Sequence, residues 1–178
     1  MYDRGELSTF EKMVIILEDR RFFNHGGVDL RAAIREAYKL LFSASKAGGA
    51  STIDMQFVRT ATGYRDRTAR RKLYEMLLSV LIQSRYPKIV ILRTYLEIAY
   101  FGWRLKGAEE AATALFGIPT HSLNVSQAAM VAVLLVVPRP RFPSESWKRK
   151  ALRRADYIER AYIRYEKRLD KVIRAKMS

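Results

Sequence analysis

Apolar residues along this chain recur at intervals of three and four, the spacing that lines one face of an α-helix. Phe10, Met13, Val14 and Leu17 form the first such stripe. It follows Ser8-Thr9-Phe10-Glu11, where Ser and Glu stand at capping-box spacing, so a helix is predicted from there to about Arg21. His25-Gly26-Gly27 breaks the pattern, and Asp29 caps a second helix from Leu30 to about Ser43. Ser45 to Ala50 is small and glycine-rich, hence a loop. Ser51 opens a third helix to about Ala61, and a fourth spans Arg67 to Ser84. Pro87 starts a fifth, which Gly102 ends. Gly107 to Leu115 and Ser126 to Val137 read as two more. Pro138, Pro140 and Pro143 make a rigid extended stretch. From Trp147 a long amphipathic helix puts Leu152, Ala155, Ile158, Tyr162, Leu169 and Ile173 on one face. No alternating run suggests a strand, so the predicted class is all-α, or mostly helical.

Composition narrows this picture. With 178 residues and 49% apolar content the chain can bury one domain's core, and its aromatic content argues against disorder. The longest apolar run, Ala128 to Val137, is ten residues against the roughly twenty that a membrane span needs, so no crossing of a bilayer is expected. No targeting segment is expected either. Two His and no Cys argue against a zinc site. Thirty-three Lys and Arg against eighteen Asp and Glu give a net charge of +15, which seeks anions. Twelve basic against five acidic residues between Glu145 and Ser178 give that segment a local +7. The expected organisation is a main domain over 1–143 and a basic amphipathic C-terminal helix over 144–178. That helix either lies on anionic lipid or packs its apolar face on the domain.

Three segments could carry chemistry. Glu18 sits at the edge of the first apolar stripe, where partial desolvation would favour a general base, although spacing alone favours a surface acid paired with Arg20 or Arg21. Gly48-Gly49-Ala50-Ser51-Thr52 leads into a helix and could cradle an anion on free amides and hydroxyls; any tight loop could use the same glycines. Arg71 and Glu75 are four apart on one helix face; spacing alone favours a surface ion pair over a polar site in which the cations hold an anion.

Their combination and order add what no single segment carries. Glu18-Asp19-x-x-Phe22-x-x-His25-x-Gly27-x-Asp29 resembles the first motif of the peptidoglycan glycosyltransferases, family 51. Gly49-Ala50-Ser51-Thr52-Ile53-x-Met55-Gln56-x-Val58-Arg59 is similar to their second motif, and Arg71-Lys72-x-x-Glu75 to their third. Tyr95-Leu96-x-x-x-Tyr100-Phe101-Gly102 is similar to the fourth, and Ala128-Ala129 through Pro138 and Pro143 to the fifth. The resemblance covers about residues 8–143.

The resemblance implies a lysozyme-like head with a small membrane-touching jaw. It implies polymerisation of lipid II, with the growing glycan chain as donor, inversion at the anomeric carbon and release of undecaprenyl pyrophosphate. By similarity Glu18 is the general base and Glu75 the second catalytic residue, positioning the donor end or a divalent ion. Asp19, Phe22, His25, Ser51, Thr52, Gln56, Arg59, Arg71 and Lys72 are the implied substrate-binding set. No nucleotide cofactor is expected, since the donor carries its own leaving group; Mg2+ or Mn2+ stays open, with no metal ligand assigned. Implied partners are lipid II, an anionic membrane surface and other cell-wall synthesis proteins, with no nucleic acid. The implied place is the periplasmic face of a bacterial inner membrane, and the lack of a following transpeptidase segment reads as monofunctional.

Four positions depart from the family's pattern: Asp54 where Thr or Ser is usual, and Gln83, Arg93 and Glu97. Asp54 reads as the acid of a capping box begun by Ser51, and its charge would oppose anion binding at that helix start. The rival classes are a lipid II-binding scaffold, a lysozyme-like glycan hydrolase and a basic nucleic-acid-binding module. A hydrolase of neutral glycan has no need of Arg59, Arg71 and Lys72 near its acid, and no reader motif for nucleic acid is present.

Overall fold

Side-chain caps set where the helices begin. The computed structural model describes residues 6–42, 51–64, 66 and 68–177. The Ser8 amide donates to Glu11 Oε2 at 2.7 Å while the Glu11 amide donates to Ser8 Oγ at 3.2 Å, closing the expected capping box ahead of α1 (Thr9–Glu18). Asp29 Oδ1 accepts from the amides of Arg31 and Ala32 and starts α2 (Leu30–Phe42). Thr52 caps α3 (Ile53–Thr62) and Thr68 caps α4 (Ala69–Arg85). After α5 (Lys88–Ile98) comes a hairpin of β1 (Tyr100–Gly102) and β2 (Leu105–Lys106), followed by α6 (Ala108–Phe116). Asn124 and Gln127 make a second capping box for α7 (Val125–Val133), and α8 (Glu145–Met177) closes the chain described.

The class is mostly helical, as expected, and several local expectations change. First, β1 and β2 pair antiparallel, although they are too short for alternation to register in sequence. Gly102 has φ +147°, and a Cβ there would lie 2.4 Å from Arg139 O, so the hairpin can rest on the following chain only without a side chain. Second, the third helix is capped by Thr52 and not by Ser51, which moves Asp54 out of the capping-box position. Third, Leu152 of α8 is 59% exposed, and Ala151 takes the buried place. The helix expected to reach Val137 stops at Val133; Leu134 to Val137 continue in turns, consistent with the restriction that Pro138 places on the residue before it. The expected loop at 45–50 lies outside the described residues.

The chain forms two compact units, Met1–Leu17 with Leu96–Ser178, and Glu18–Tyr95. In the first, α7 is almost wholly apolar and buries Ala128, Ala129, Val131, Ala132 and Val133. The long α8 packs along it and buries Ala151, Ala155, Ile158 and Tyr162. Alanine on both helices lets the two backbones approach closely. Lys12 pairs with Asp170 at 2.8 Å, and Ser126 Oγ donates to Glu159 at 3.0 Å, tying α8 to α1 and α7. The apolar face of the basic C-terminal helix is therefore core, and its Lys and Arg face outward. In the second unit α3 packs on α4. Gly27 enters the same unit with φ +94°; a Cβ on it would sit 2.5 Å from Ser79 O of α4, so a side chain there is excluded by both backbone and space.

Ile158→Ala should lower unfolding stability by about 2–5 kcal/mol, the usual cost of emptying a packed core site, whereas Leu152→Ala should stay within about 0.5 kcal/mol. Urea midpoints of the two variants check this, and equal shifts would contradict the burial of α8.

Candidate active site

Three polar clusters in the second unit meet on one helix, α3. The first contains Glu18, the last residue of α1. Helix α1 stops there because Asp19 turns its own carboxylate to the backbone two residues on, Oδ1 accepting from the Arg21 amide. Gln56 Nε2 of α3 donates to Glu18 Oε2 at 2.6 Å, and Tyr95 OH donates to Gln56 Oε1 at 2.8 Å. The amide thus has one defined orientation, with its NH2 on the carboxylate. Burial and the nearby Glu18 charge raise the Tyr95 pKa, so the phenol stays protonated and keeps donating.

The second cluster holds the start of α3. Asp19 Oδ2 accepts from the Ile53 amide at 3.2 Å and lies 2.9 Å from His25 Nε2. Thr52 Oγ1 donates to Gly27 O at 2.6 Å and accepts from the Met55 amide, so its hydroxyl is engaged within the protein. Asp54, 1% exposed, pairs with Lys88 Nζ at 2.8 Å. Burial raises the pKa of Asp54 and lowers that of Lys88, each opposed by the partner's charge. The Lys88 ammonium also lies 4.5 Å from the centre of the buried Phe22 ring. The charge on Asp54, expected to oppose anion binding, is therefore countered by Lys88.

The third cluster is cationic. Arg59 of α3 grips Glu75 of α4 with both Nε and Nη2 at 2.8 Å, a fork-to-carboxylate pair. Arg71 Nε is 3.0 Å from the same carboxylate, and Glu75 is 1% exposed. Lys72 Nζ donates to Ser51 Oγ at 2.8 Å. Burial lowers the Lys72 pKa, Glu75 raises it, and Arg59 and Arg71 lower it further. Three cations around one enclosed carboxylate leave this cluster with a formal surplus of two positive charges.

Neither acidic group suits a divalent ion as it stands. Asp19, His25 and Asp54 bring ligand atoms within 4.8 Å of one another, but Lys88 already supplies positive charge among them. Glu75 is enclosed by two guanidinium groups. The residues expected from sequence are all placed: Glu18 with Gln56, Asp19 with His25, and Arg59, Arg71, Lys72 and Ser51 around Glu75. Sequence reasoning missed Lys88, and read Tyr95 as part of the fourth motif without a place in the site. A readable signal existed for Lys88, a cation in the first turn of α5, where the helix dipole favours acids. Of the other departures, Gln83 and Arg93 are half-buried and Glu97 is exposed.

Comparison with known proteins places this arrangement. Residues 7–162 match the family model described as Transglycosylase, and the chain belongs to that family, the peptidoglycan glycosyltransferases. It is 37% identical over 145 residues to a putative transglycosylase of Cupriavidus necator, covering 82% of this chain and 62% of that one. It is 37% identical over 147 residues to a biosynthetic peptidoglycan transglycosylase of Rhodospirillum centenum, covering 83% and 63%. Penicillin-binding protein 1A of Escherichia coli is 36% identical over 149 residues, 84% of this chain and 18% of that one. The chain thus spans less than two thirds of the length of each of these relatives.

Arg59→Ala removes the forked partner of a fully buried carboxylate. Breaking such a pair costs about 3–5 kcal/mol, and the lower end is expected because Arg71 still touches Glu75. Arg59→Lys keeps the charge but not the fork and should recover only part of the loss. Thermal or urea unfolding measures both.

Proposed function

We propose that this protein is a peptidoglycan glycosyltransferase that polymerises lipid II into glycan strands. The observation that carries the proposal is the placement of Gln56 and Arg59 on α3. Gln56 holds the carboxylate of Glu18, and Arg59, three residues on, belongs to the cation cluster. Three residues of helix rise about 4.5 Å. Helix α3 thus carries the residue that holds the base and an anion-stabilising group on neighbouring turns, which suits an inverting displacement, in which the nucleophile enters and a pyrophosphate leaves on opposite sides of one anomeric carbon.

In this reading Glu18 takes the proton from the acceptor sugar 4-hydroxyl as that oxygen attacks the donor's anomeric carbon. The bond to the pyrophosphate oxygen breaks, and Arg59, Arg71 and Lys72 stabilise the charge that develops there. Glu75 holds Arg59 and Arg71 in place, and Ser51 completes the cationic side through Lys72. Asp19, His25, Thr52 and Phe22 build the frame. No step requires a metal; a divalent ion would enter with the substrate's pyrophosphate. The growing glycan is the donor, and undecaprenyl pyrophosphate is released.

The protein also works at a membrane surface in this reading, on the periplasmic face. Among the described residues no helix is long and apolar enough to cross a bilayer. Helix α2, however, exposes Leu30, Ile34, Tyr38 and Phe42, each at least 64% accessible and spaced four apart in a single line. Helix α4 exposes Leu73, Leu77 and Leu81 at the same spacing. Apolar lines of this kind suit contact with lipid, with the basic face of α8 adding attraction to anionic headgroups.

Glu18→Gln should reduce lipid II polymerisation by about 10²–10⁴-fold with little change in lipid II binding, and Arg71→Ala should weaken both. Glycan ladders on gels and a binding assay separate the two. A Glu18→Gln enzyme of near-normal rate would remove the base assignment. A wild-type protein that binds lipid II without making ladders would be a scaffold, and one that shortens preformed glycan a hydrolase.

Ile34→Ser with Phe42→Ser should reduce flotation with liposomes at every salt concentration. Added salt should weaken only the part that depends on anionic lipid. Flotation unchanged by the double substitution would dismiss α2 as the contact.

A further inference from the structure

We infer that Lys88, anchored by Asp54, is a positioning residue that fixes the tautomer of His25 and thereby the grip of Asp19 on the start of α3. This rests on the reading of Glu18 as the base and extends it to residues that do not touch it.

An ammonium has three donors and no acceptor. Lys88 Nζ stands 3.5 Å from His25 Nδ1 and 2.8 Å from Asp54 Oδ2. The contact with Nδ1 is long, so its sign matters more than its strength: a cation there favours a lone pair on Nδ1 and disfavours a proton. The ring proton of neutral His25 therefore belongs on Nε2, which is 2.9 Å from Asp19 Oδ2. Asp19 Oδ2 then receives two donors, the imidazole N–H and the Ile53 amide. The opposite tautomer would turn a lone pair toward the carboxylate and an N–H toward the ammonium, two repulsive contacts in a buried place. The His25 side chain is 4% exposed and that of Lys88 10%, so water cannot readily make good the mismatch.

Asp54 is what keeps the cation in position. Its carboxylate is the partner that offsets the burial of the Lys88 ammonium, with Asp19 adding a further favourable charge. The buried Phe22 ring lies 4.5 Å from the ammonium and turns its edge to His25, with ring centres 6.4 Å apart. Asp54, Lys88, His25 and Asp19 thus form a chain of alternating partners ending on the first amide of α3. Four residues after its Thr52 cap, α3 delivers Gln56 to Glu18. Lys88 is thereby linked to the base through the helix without reaching the substrate. An acid at position 54 in place of the family's usual Thr or Ser is then one half of a device whose other half is Lys88.

The test uses the full chain with 15N-labelled imidazoles. The protein has only two His, so a His121→Asn variant assigns the His25 signals. In wild-type protein, neutral His25 should show the Nε2–H tautomer. Lys88→Met should abolish that single-tautomer signature and lower kcat for lipid II polymerisation about 10–100-fold, the usual cost of losing a partner that orients a functional histidine. KM should stay within about twofold. Asp54→Asn should move both readouts in the same direction by less. A wild-type His25 carrying its proton on Nδ1, or present as imidazolium, overturns the inference even if no variant folds. So does a Lys88→Met spectrum equal to wild type, or a raised KM at unchanged kcat, which would make Lys88 a substrate-binding cation. If the wild-type protein makes no glycan, the proposed function fails, while the tautomer measurement still decides the role of Lys88.

Discussion

The second unit depends on one buried carboxylate. Asp19 reaches across 34 positions of sequence to accept the first amide of α3, and its other contacts, to the Arg21 amide and His25, fix the loop it stands on. A helix start has four amides without internal partners, and a buried start must satisfy them. Here Asp19 takes one, and the Thr52 hydroxyl takes another while donating to Gly27 O. The orientation of α3 is thus set by hydrogen bonds at its first turn, and each of the three clusters described above uses a residue of that helix.

Charge is handled differently in the three clusters, and the difference suits the roles proposed for them. Around Asp54 and Lys88 both charges are buried and cancel, which suits a frame. Around Glu75 the acid is enclosed and the cations are in excess, which suits an anion. Around Glu18 the carboxylate accepts from the Gln56 amide, which the Tyr95 phenol holds in turn. Gln56 orients this group through a hydrogen bond from its amide nitrogen.

The apolar face of α8 belongs to the core of the first unit, so the positive charge of the C-terminal segment is a surface property of a packed helix. Exposed apolar residues spaced four apart lie instead on α2 and α4, in the unit that carries the polar clusters. The basic face and the apolar lines proposed for membrane contact are therefore carried by different elements.

Periodicity and caps determined the helices from sequence because both are local. Ser8 with Glu11, and Asp29 ahead of Leu30, act within one turn of where they stand. Motif order determined the family, and with it the residues worth placing. Tertiary structure alone decided partners, because these depend on which distant side chain fills the remaining space. Spacing paired Arg71 with Glu75, but nothing local announces that Arg59 is the forked partner or that Glu75 is enclosed. Position 54 makes the point most clearly: with Ser51 taken as the cap, Asp54 reads as the acid of a capping box whose charge opposes anion binding. It becomes one half of a buried ion pair only because the fold brings Lys88, 34 residues later, within 2.8 Å of it.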